Sequence, residues 1–164
     1  MEEPAIELIS MDGADIDAAA ALVARAMNPD EGRWAARTMR FHFGCQAHNL
    51  DDGRAYYAWK PNGTIRGLAG LHHPVWGPEE NVWLAWFAVD PTCQGCGLGR
   101  ELLAAIEAVA VEKGYRKLLI ETYEQEEFDK ARRFYERNGF QRTGQIAGYL
   151  PDGSSMIVYA KVLC

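Results

Sequence analysis

The stretch from Val82 to Thr122, "VWLAWFAVDPTCQGCGLGRELLAAIEAVAVEKGYRKLLIET", narrows the possible folds more than any other part of this chain. Val82 to Val89 is a nearly continuous apolar run, the pattern of a buried strand. Asp90-Pro91 ends it, and glycines follow at 95, 97 and 99. From Leu98 to Lys113 the apolar positions are 98, 102, 103, 106, 109 and 110. That is helical spacing, and Gly114 supplies the stop. "KLLIET" (117–122) reads as a second strand. A strand, a glycine-rich turn and a helix mouth make an anion site. The first helical N–H groups lack partners, and the helix dipole adds partial positive charge. Glycines there allow close backbone approach, and Arg100 can add a charge-assisted contact to a phosphate.

The remaining elements arrange themselves around this unit. "AIELI" (5–9) reads as a short strand. Asp12 or Asp15 can cap a helix running to Met27, with Ile16, Ala20, Val23 and Met27 on one face. Asn28-Pro29 ends it, and a second helix is expected from Trp34 to about Phe43. "AYYAWK" and "TIRGLAGLHH" flank a "PNG" turn and read as a hairpin. Phe128, Ala131, Tyr135 and Asn138 share one face of a later helix that Gly139 closes. "FQRTGQI" and "SMIVYAKVL" form a final hairpin. The expected order is β α α β β β α β α β β, one mixed α/β domain over residues 1–164. With 164 residues, a domain buries roughly two thirds of its unfolded surface and needs no staples.

Charge and cysteine content exclude some functions. The formal net charge of −6 argues against a nucleic-acid surface. No apolar run approaches the ~20 residues of a membrane span. The acidic start "MEEPAIELIS" lacks an apolar signal core, so a cytoplasmic protein with Cys45, Cys93, Cys96 and Cys164 as free thiols is expected. Residues 1–93 carry 7 Lys/Arg and 13 Asp/Glu, whereas residues 94–142 carry 9 of each. The excess acid therefore lies before the glycine loop.

Several chemistries compete for that loop. Cys93 and Cys96 spell C-x-x-C, but a zinc ribbon needs a second pair and none exists. A redox pair at a helix start would share this context, but the intervening Gln94-Gly95 and the sequence downstream favour phosphate binding over use of the two thiols. A Walker A loop would end Gly-Lys-Ser/Thr, whereas Gly99-Arg100-Glu101 stands here. A Rossmann fingerprint would need G-x-G-x-x-G, although Glu121 closes the next strand about the right distance on. His42, Cys45 and His48 suggest a metal cluster but drift around one helix and lack a fourth ligand, so no metal is expected.

"FAVDPTCQGCGLGRELLAAIEAVAVEKGYRKLLIET" together with "KARRFYERNGFQRTG" resembles the two signatures of the Gcn5-related N-acetyltransferase family, in order and at the usual separation. The likeness covers about residues 80–164. It implies a central mixed sheet of about seven strands flanked by about four helices, with acetyl-CoA as co-substrate. The strands around the glycine loop would splay, and pantetheine would fill the gap. On this resemblance Phe87, Ala88 and Val89 orient pantetheine. Gln94, Gly95, Cys96, Gly97, Leu98, Gly99 and Arg100 hold the pyrophosphate, and Ala131 and Phe134 complete the coenzyme site. Tyr135 matches the tyrosine that assists the leaving sulfur.

Two departures accompany the likeness. The strand before the loop has no ionisable group to act as base, leaving Glu79, Glu80, Glu121, His72 and His73 as substitutes. Phe128 stands where an asparagine often contacts the coenzyme. Trp34, Trp86 and Glu121 are the candidate acceptor-side residues, with aromatic faces suited to a cation. The implied activity is acetyl transfer to a primary amine, a small cationic one by charge placement, in a monomer or homodimer. The alternative is a non-catalytic acyl-CoA-binding sensor or interaction module.

Overall fold

A computed structural model describes residues 6–164. Strand β1 is Ile9–Ser10, followed by α1 (Ile16–Ala26), α2 (Pro29–Ala47), β2 (Arg54–Trp59), β3 (Gly67–His72) and β4 (Asn81–Val89). Then come α3 (Leu98–Glu112), β5 (Lys117–Tyr123), α4 (Asp129–Arg137), β6 (Gln141–Ile146) and β7 (Met156–Val162). The element order is the expected one, and the fold is mixed α/β with a seven-stranded sheet and four α-helices. The sheet order is β1-β2-β3-β4-β5-β7-β6, and among the described residues only the β4–β5 pair is parallel.

Several boundaries differ from the expected ones: α2 runs on to Ala47 rather than about Phe43, and β3 begins at Gly67 rather than Thr64. The first strand is shorter than "AIELI": Ala5 lies outside the described residues, Ile6 to Leu8 are not strand, and only Ile9 and Ser10 pair with β2. Helix α2 starts five residues earlier than expected. Asn28-Pro29 ends α1 and also begins α2, with the Asn28 side chain accepting from the Glu31 N–H at 2.9 Å and Pro29 in the first turn. Proline is suited to that position because its missing N–H would be unpaired there anyway.

The helices cover both faces of the sheet. Leu22 and Val23 of α1 and Met39 of α2 pack on Tyr56, Ala58, Leu68 and Ala88. Leu102, Leu103 and Ile106 of α3 pack on the other face with Leu71, Val82, Val89 and Leu118, and Tyr135 of α4 joins them. Alternation along β2 places Tyr56 and Ala58 on one face and Tyr57 and Trp59 on the other. Each fully buried Leu or Ile contributes about 2 kcal/mol in these cores. Helix α2 crosses α1 at Gly32, where a Cβ would lie 2.7 Å from that of Ala24. Any side chain at Gly32 would push the helices apart.

Two irregularities in β4 create the site. Its parallel ladder with β5 covers only Asn81–Trp83 against Lys117–Leu119. Beyond that the two strands part, and the β5-facing edge of Leu84 to Val89 loses its strand partner. The ladder to β3 shifts register opposite Gly70, between the Ala69–Phe87 and Leu71–Leu84 pairs. One extra residue in β4 is accommodated there. Ala85 and Trp86 consequently both pack toward α1 and α2, while Leu84 and Phe87 pack toward α3 and α4.

Candidate active site

The parted strands open into two clefts that share a wall. The first, about 680 Å³, is lined by Phe87, Ala88 and Val89 of β4, by Gln94, Gly95, Gly97, Gly99 and Arg100 of the glycine loop, and by Lys130, Ala131, Phe134, Tyr135, Arg137 and Asn138 around α4. The second, about 520 Å³, runs from the same point toward α2 and the β2–β3 hairpin, past Glu31, Trp34, Thr38, Arg54, Tyr56, His72, Trp83, Trp86 and Glu121. Met27, Phe87, Phe128, Ala131 and Tyr135 line both.

The glycine loop has the geometry of an anion cradle. Gly95 and Gly97 adopt φ of 85° and 82°, in the left-handed region that L side chains rarely adopt. Nothing lies within 4 Å of where their Cβ atoms would be, so the space over the loop is open. Gly97 is the N-cap of α3, which leaves the N–H groups of Leu98, Gly99 and Arg100 without intrahelical acceptors. A Cβ on Gly99 would lie 3.3 Å from the Phe134 ring, so glycine there lets α4 come close to the loop. The Gln94 side chain bridges the Val89 carbonyl (3.1 Å) and Lys130 Nζ (2.9 Å), tying the loop to β4 and α4.

Asp90 anchors the loop's entry. Its carboxylate accepts from the Thr92 hydroxyl (2.7 Å) and N–H (3.0 Å), from Arg25 (3.3 Å) and from Arg66 (3.2 Å). The Thr92 bonds, followed by the two arginines, hold its carboxyl well below the usual range, at about 2.

Tyr135 sits where the clefts meet. Its ring packs on Phe87, Phe134, Phe140 and Tyr159, with centroids 5.5–6.5 Å away. Burial pushes its phenol above the ordinary value. Its hydroxyl has no hydrogen-bond partner among the described residues, although the side chain borders both clefts. A protonated phenol with no internal acceptor is free to donate to a ligand atom.

Residues 20–140 match the acetyltransferase (GNAT) family. The chain belongs to that family. Mycothiol acetyltransferase of Geodermatophilus obscurus is 31% identical to this GNAT chain over 120 residues, which is 71% of this chain and 37% of that protein. The chain thus spans little more than a third of the length of that curated relative. A GNAT-family protein from Desulfovibrio desulfuricans superimposes with a TM-score of 0.84 at 25% identity, over 96% of this chain and 99% of that one. A GNAT-family acetyltransferase from Elizabethkingia anophelis, solved with acetyl-CoA bound, shares the fold with a TM-score of 0.71 at 20% identity, covering 98% of this chain and 100% of that one.

Within this GNAT chain, ten of the twelve residues expected at the coenzyme line the first cleft. The side chains of Cys96 and Leu98 do not: Cys96 is exposed and Leu98 packs against the core. Trp34, Trp86 and Glu121 all line the second cleft. Of the proposed substitute bases, Glu121 and His72 line it too, whereas Glu79, Glu80 and His73 do not. His73 Nδ1 bonds the Asn81 carbonyl at 2.8 Å. Phe128 closes over the junction, its ring edge-on to Tyr123. His42 bonds Asp52 at 2.7 Å and His48 bonds the Gly44 carbonyl at 2.9 Å, so these two imidazoles serve the fold around α2. Among the described residues no group of three His, Cys, Asp or Glu side chains is placed to hold a metal ion. No helix there is long and apolar enough to cross a membrane.

Glu31 escaped the sequence reading. It lies in the first turn of α2, is only 6% exposed and lines the second cleft beside Glu121. Burial raises its carboxyl to about 7, reinforced by the negative charges of Glu127, Glu121 and Asp30. The local signal was present, since Glu31 stands three residues after the Asn28 cap, a regular acidic position of helix starts. What local sequence does not carry is its burial, which arises from α2 packing over the parted strands.

Proposed function

We propose that this chain is an acetyl-CoA-dependent N-acetyltransferase that delivers acetyl by direct attack of a primary amine, the favoured acceptor being small and cationic. The observation carrying this reading is the parting of β4 from β5 after Trp83 and Leu119, with an anion loop at one end of the gap and Tyr135 at the other.

The residues fit the coenzyme. The N–H groups at the start of α3, with Arg100 and Lys130, suit a pyrophosphate. The unpaired β4 edge suits the amides of pantetheine, which would lie as an added strand. Phe87, Ala131 and Phe134 provide an apolar wall. When bound, acetyl-CoA supplies an activated acyl carbon at the junction of the clefts. The second cleft holds the amine against that carbon, which converts an encounter of two molecules into a positioned reaction. As the carbon–nitrogen bond forms and the carbon–sulfur bond breaks, Tyr135 hydrogen-bonds the developing thiolate. Full proton transfer from the phenol is uphill, and burial makes it more so, which favours a strong hydrogen bond to sulfur as its contribution.

Trp34 and Trp86 give an acceptor cation aromatic faces, and Glu31 and Glu121 give it opposite charge. All seven strands lie in one sheet, which supports reading the chain as one catalytic domain. The test is CoA release from acetyl-CoA with a panel of amines. Turnover of cationic amines with formation of the acetylated amine supports the reading. Tight acetyl-CoA binding with no turnover of any amine would replace it with a non-catalytic sensor.

A further inference from the structure

We infer that Glu31 is the proton acceptor for the acceptor ammonium, a role resting on the acetyltransferase reading and taken here by a helix because strand β4 offers no ionisable side chain. Between Val82 and Val89 every side chain is apolar or indole, so no group on the strand beside the reacting carbon can take a proton. An amine that arrives charged must lose one proton before its lone pair can attack.

Glu31 is placed to take it. The side chain is buried, borders the cleft that also holds Tyr135, and its carboxylate has no hydrogen-bond or ion-pair partner among the described residues. Its oxygens are not sealed from the cleft, so an incoming ammonium can reach them, and no internal partner among the described residues competes for them. Local capping does not explain this placement, because the Asn28 side chain caps α2 and the Glu31 carboxylate turns into the cleft instead.

The surroundings keep this carboxylate basic. On its own helix Asp30 faces it, and the nearby cation Arg33 is paired to Asp30. From β5 come Glu121 and Tyr123, the latter donating to Glu121 at 3.2 Å. From the segment before α4 comes Glu127, which accepts from the Asn28 side chain at 3.1 Å. Across the cleft, Arg54 is paired to Asp52 at 3.1 Å, and burial together with Arg54 keeps His72 less basic than usual. Among the described residues no cation bonds Glu31, while three carboxylates repel its charge. Burial first, and then the repulsion of those carboxylates, raises its pKa to about 7, where it ionises near neutral pH and still accepts a proton readily.

The step balances simply. The substrate ammonium gives one proton to the Glu31 carboxylate. The neutral amine forms the carbon–nitrogen bond as the carbon–sulfur bond breaks, the electron pair leaves on sulfur, hydrogen-bonded by Tyr135, and the second proton passes from the new amide nitrogen to that thiolate through water in the cleft, giving neutral amide and CoA thiol. Glu31 returns its proton to solvent through the open cleft.

The experiment measures kcat/KM against pH, from 5.5 to 9.5, with acetyl-CoA and the fastest of ethylamine, phenylethylamine and spermidine. The wild-type rate should rise through an apparent pKa near 7, because the ionised carboxylate is the active form. Glu31→Gln should lose roughly a hundredfold at pH 7 and lose that break, its rate then climbing with the fraction of free amine. Glu31→Asp should recover part of the rate, and the thermal shift produced by CoA should persist in both variants. A Glu31→Gln enzyme with the wild-type rate and profile overturns the assignment. So does a break that survives in Glu31→Gln and disappears in His72→Asn. Should Glu31→Gln fold poorly, a wild-type profile with no break near 7 overturns it alone. If the wild type acetylates no amine while binding CoA, the acetyltransferase reading itself falls and the role of Glu31 falls with it.

Discussion

At the residue scale, Tyr135 and Glu31 differ in what they cost the fold. The Tyr135 hydroxyl bonds nothing among the described residues, so removing it should leave the fold intact. Tyr135→Phe is expected to slow single-turnover acetyl transfer by roughly ten- to a thousandfold with little change in acetyl-CoA affinity. An unchanged rate would reduce Tyr135 to packing. Glu31 carries a folding penalty, because its carboxyl ionises at about 7 in the fold against 4.5 in the open chain. Between those values the folded state binds more protons, so stability falls as pH rises through that window, and the penalty is complete above it. Glu31→Gln should therefore be more stable than the parent at pH 8, by about 2 kcal/mol or roughly 4–8 °C in Tm. That advantage should fade toward pH 4, and a Tm difference independent of pH would contradict the account.

At the element scale, the β4–loop–α3 unit carries most of the coenzyme site, and it was also the part most legible in the sequence. Its signals are local: an apolar run, Asp90-Pro91, three glycines and a helical apolar spacing. Gly97→Val should abolish the thermal shift produced by CoA, because valine disfavours φ of 82° and its side chain would enter the open cradle. A retained shift would place the coenzyme elsewhere. Asp90→Ala should destabilise the protein by about 2 kcal/mol, as it leaves Thr92, Arg25 and Arg66 without their acceptor. The contribution of Asp90 is held above about pH 4 and lost as pH falls toward 2, since its folded carboxyl lies below the unfolded one. Chemical denaturation at pH 7 and pH 3 should show the gap between parent and variant narrowing at the lower value. Helix α2 was read less well. Polar residues crowd its first turn, and Asn28-Pro29 served as a stop for α1 when it was also a start. The bulge in β4 had no sequence signal, because strand periodicity does not reveal which partner residue is skipped.

At the scale of the whole molecule, charge placement is more even than the sequence halves suggested. The excess acid lies before the glycine loop, yet of the carboxylates whose charges act on Glu31 only Asp30 comes from that half, while Glu121 and Glu127 come from the coenzyme half. The acidic character of the acceptor cleft is thus made by folding. It predicts that turnover of cationic amines weakens as salt rises from low to physiological levels, whereas neutral or anionic acceptors react poorly throughout. A preference for anionic acceptors would contradict it. The central claim is that the gap between β4 and β5 places a thioester against Tyr135, and a crystal structure with CoA tests it most directly. Pyrophosphate is expected over the Gly95–Arg100 loop, pantetheine along the free β4 edge and sulfur within about 3.5 Å of the Tyr135 hydroxyl. CoA bound outside the gap, or with its sulfur turned away from Tyr135, would contradict it.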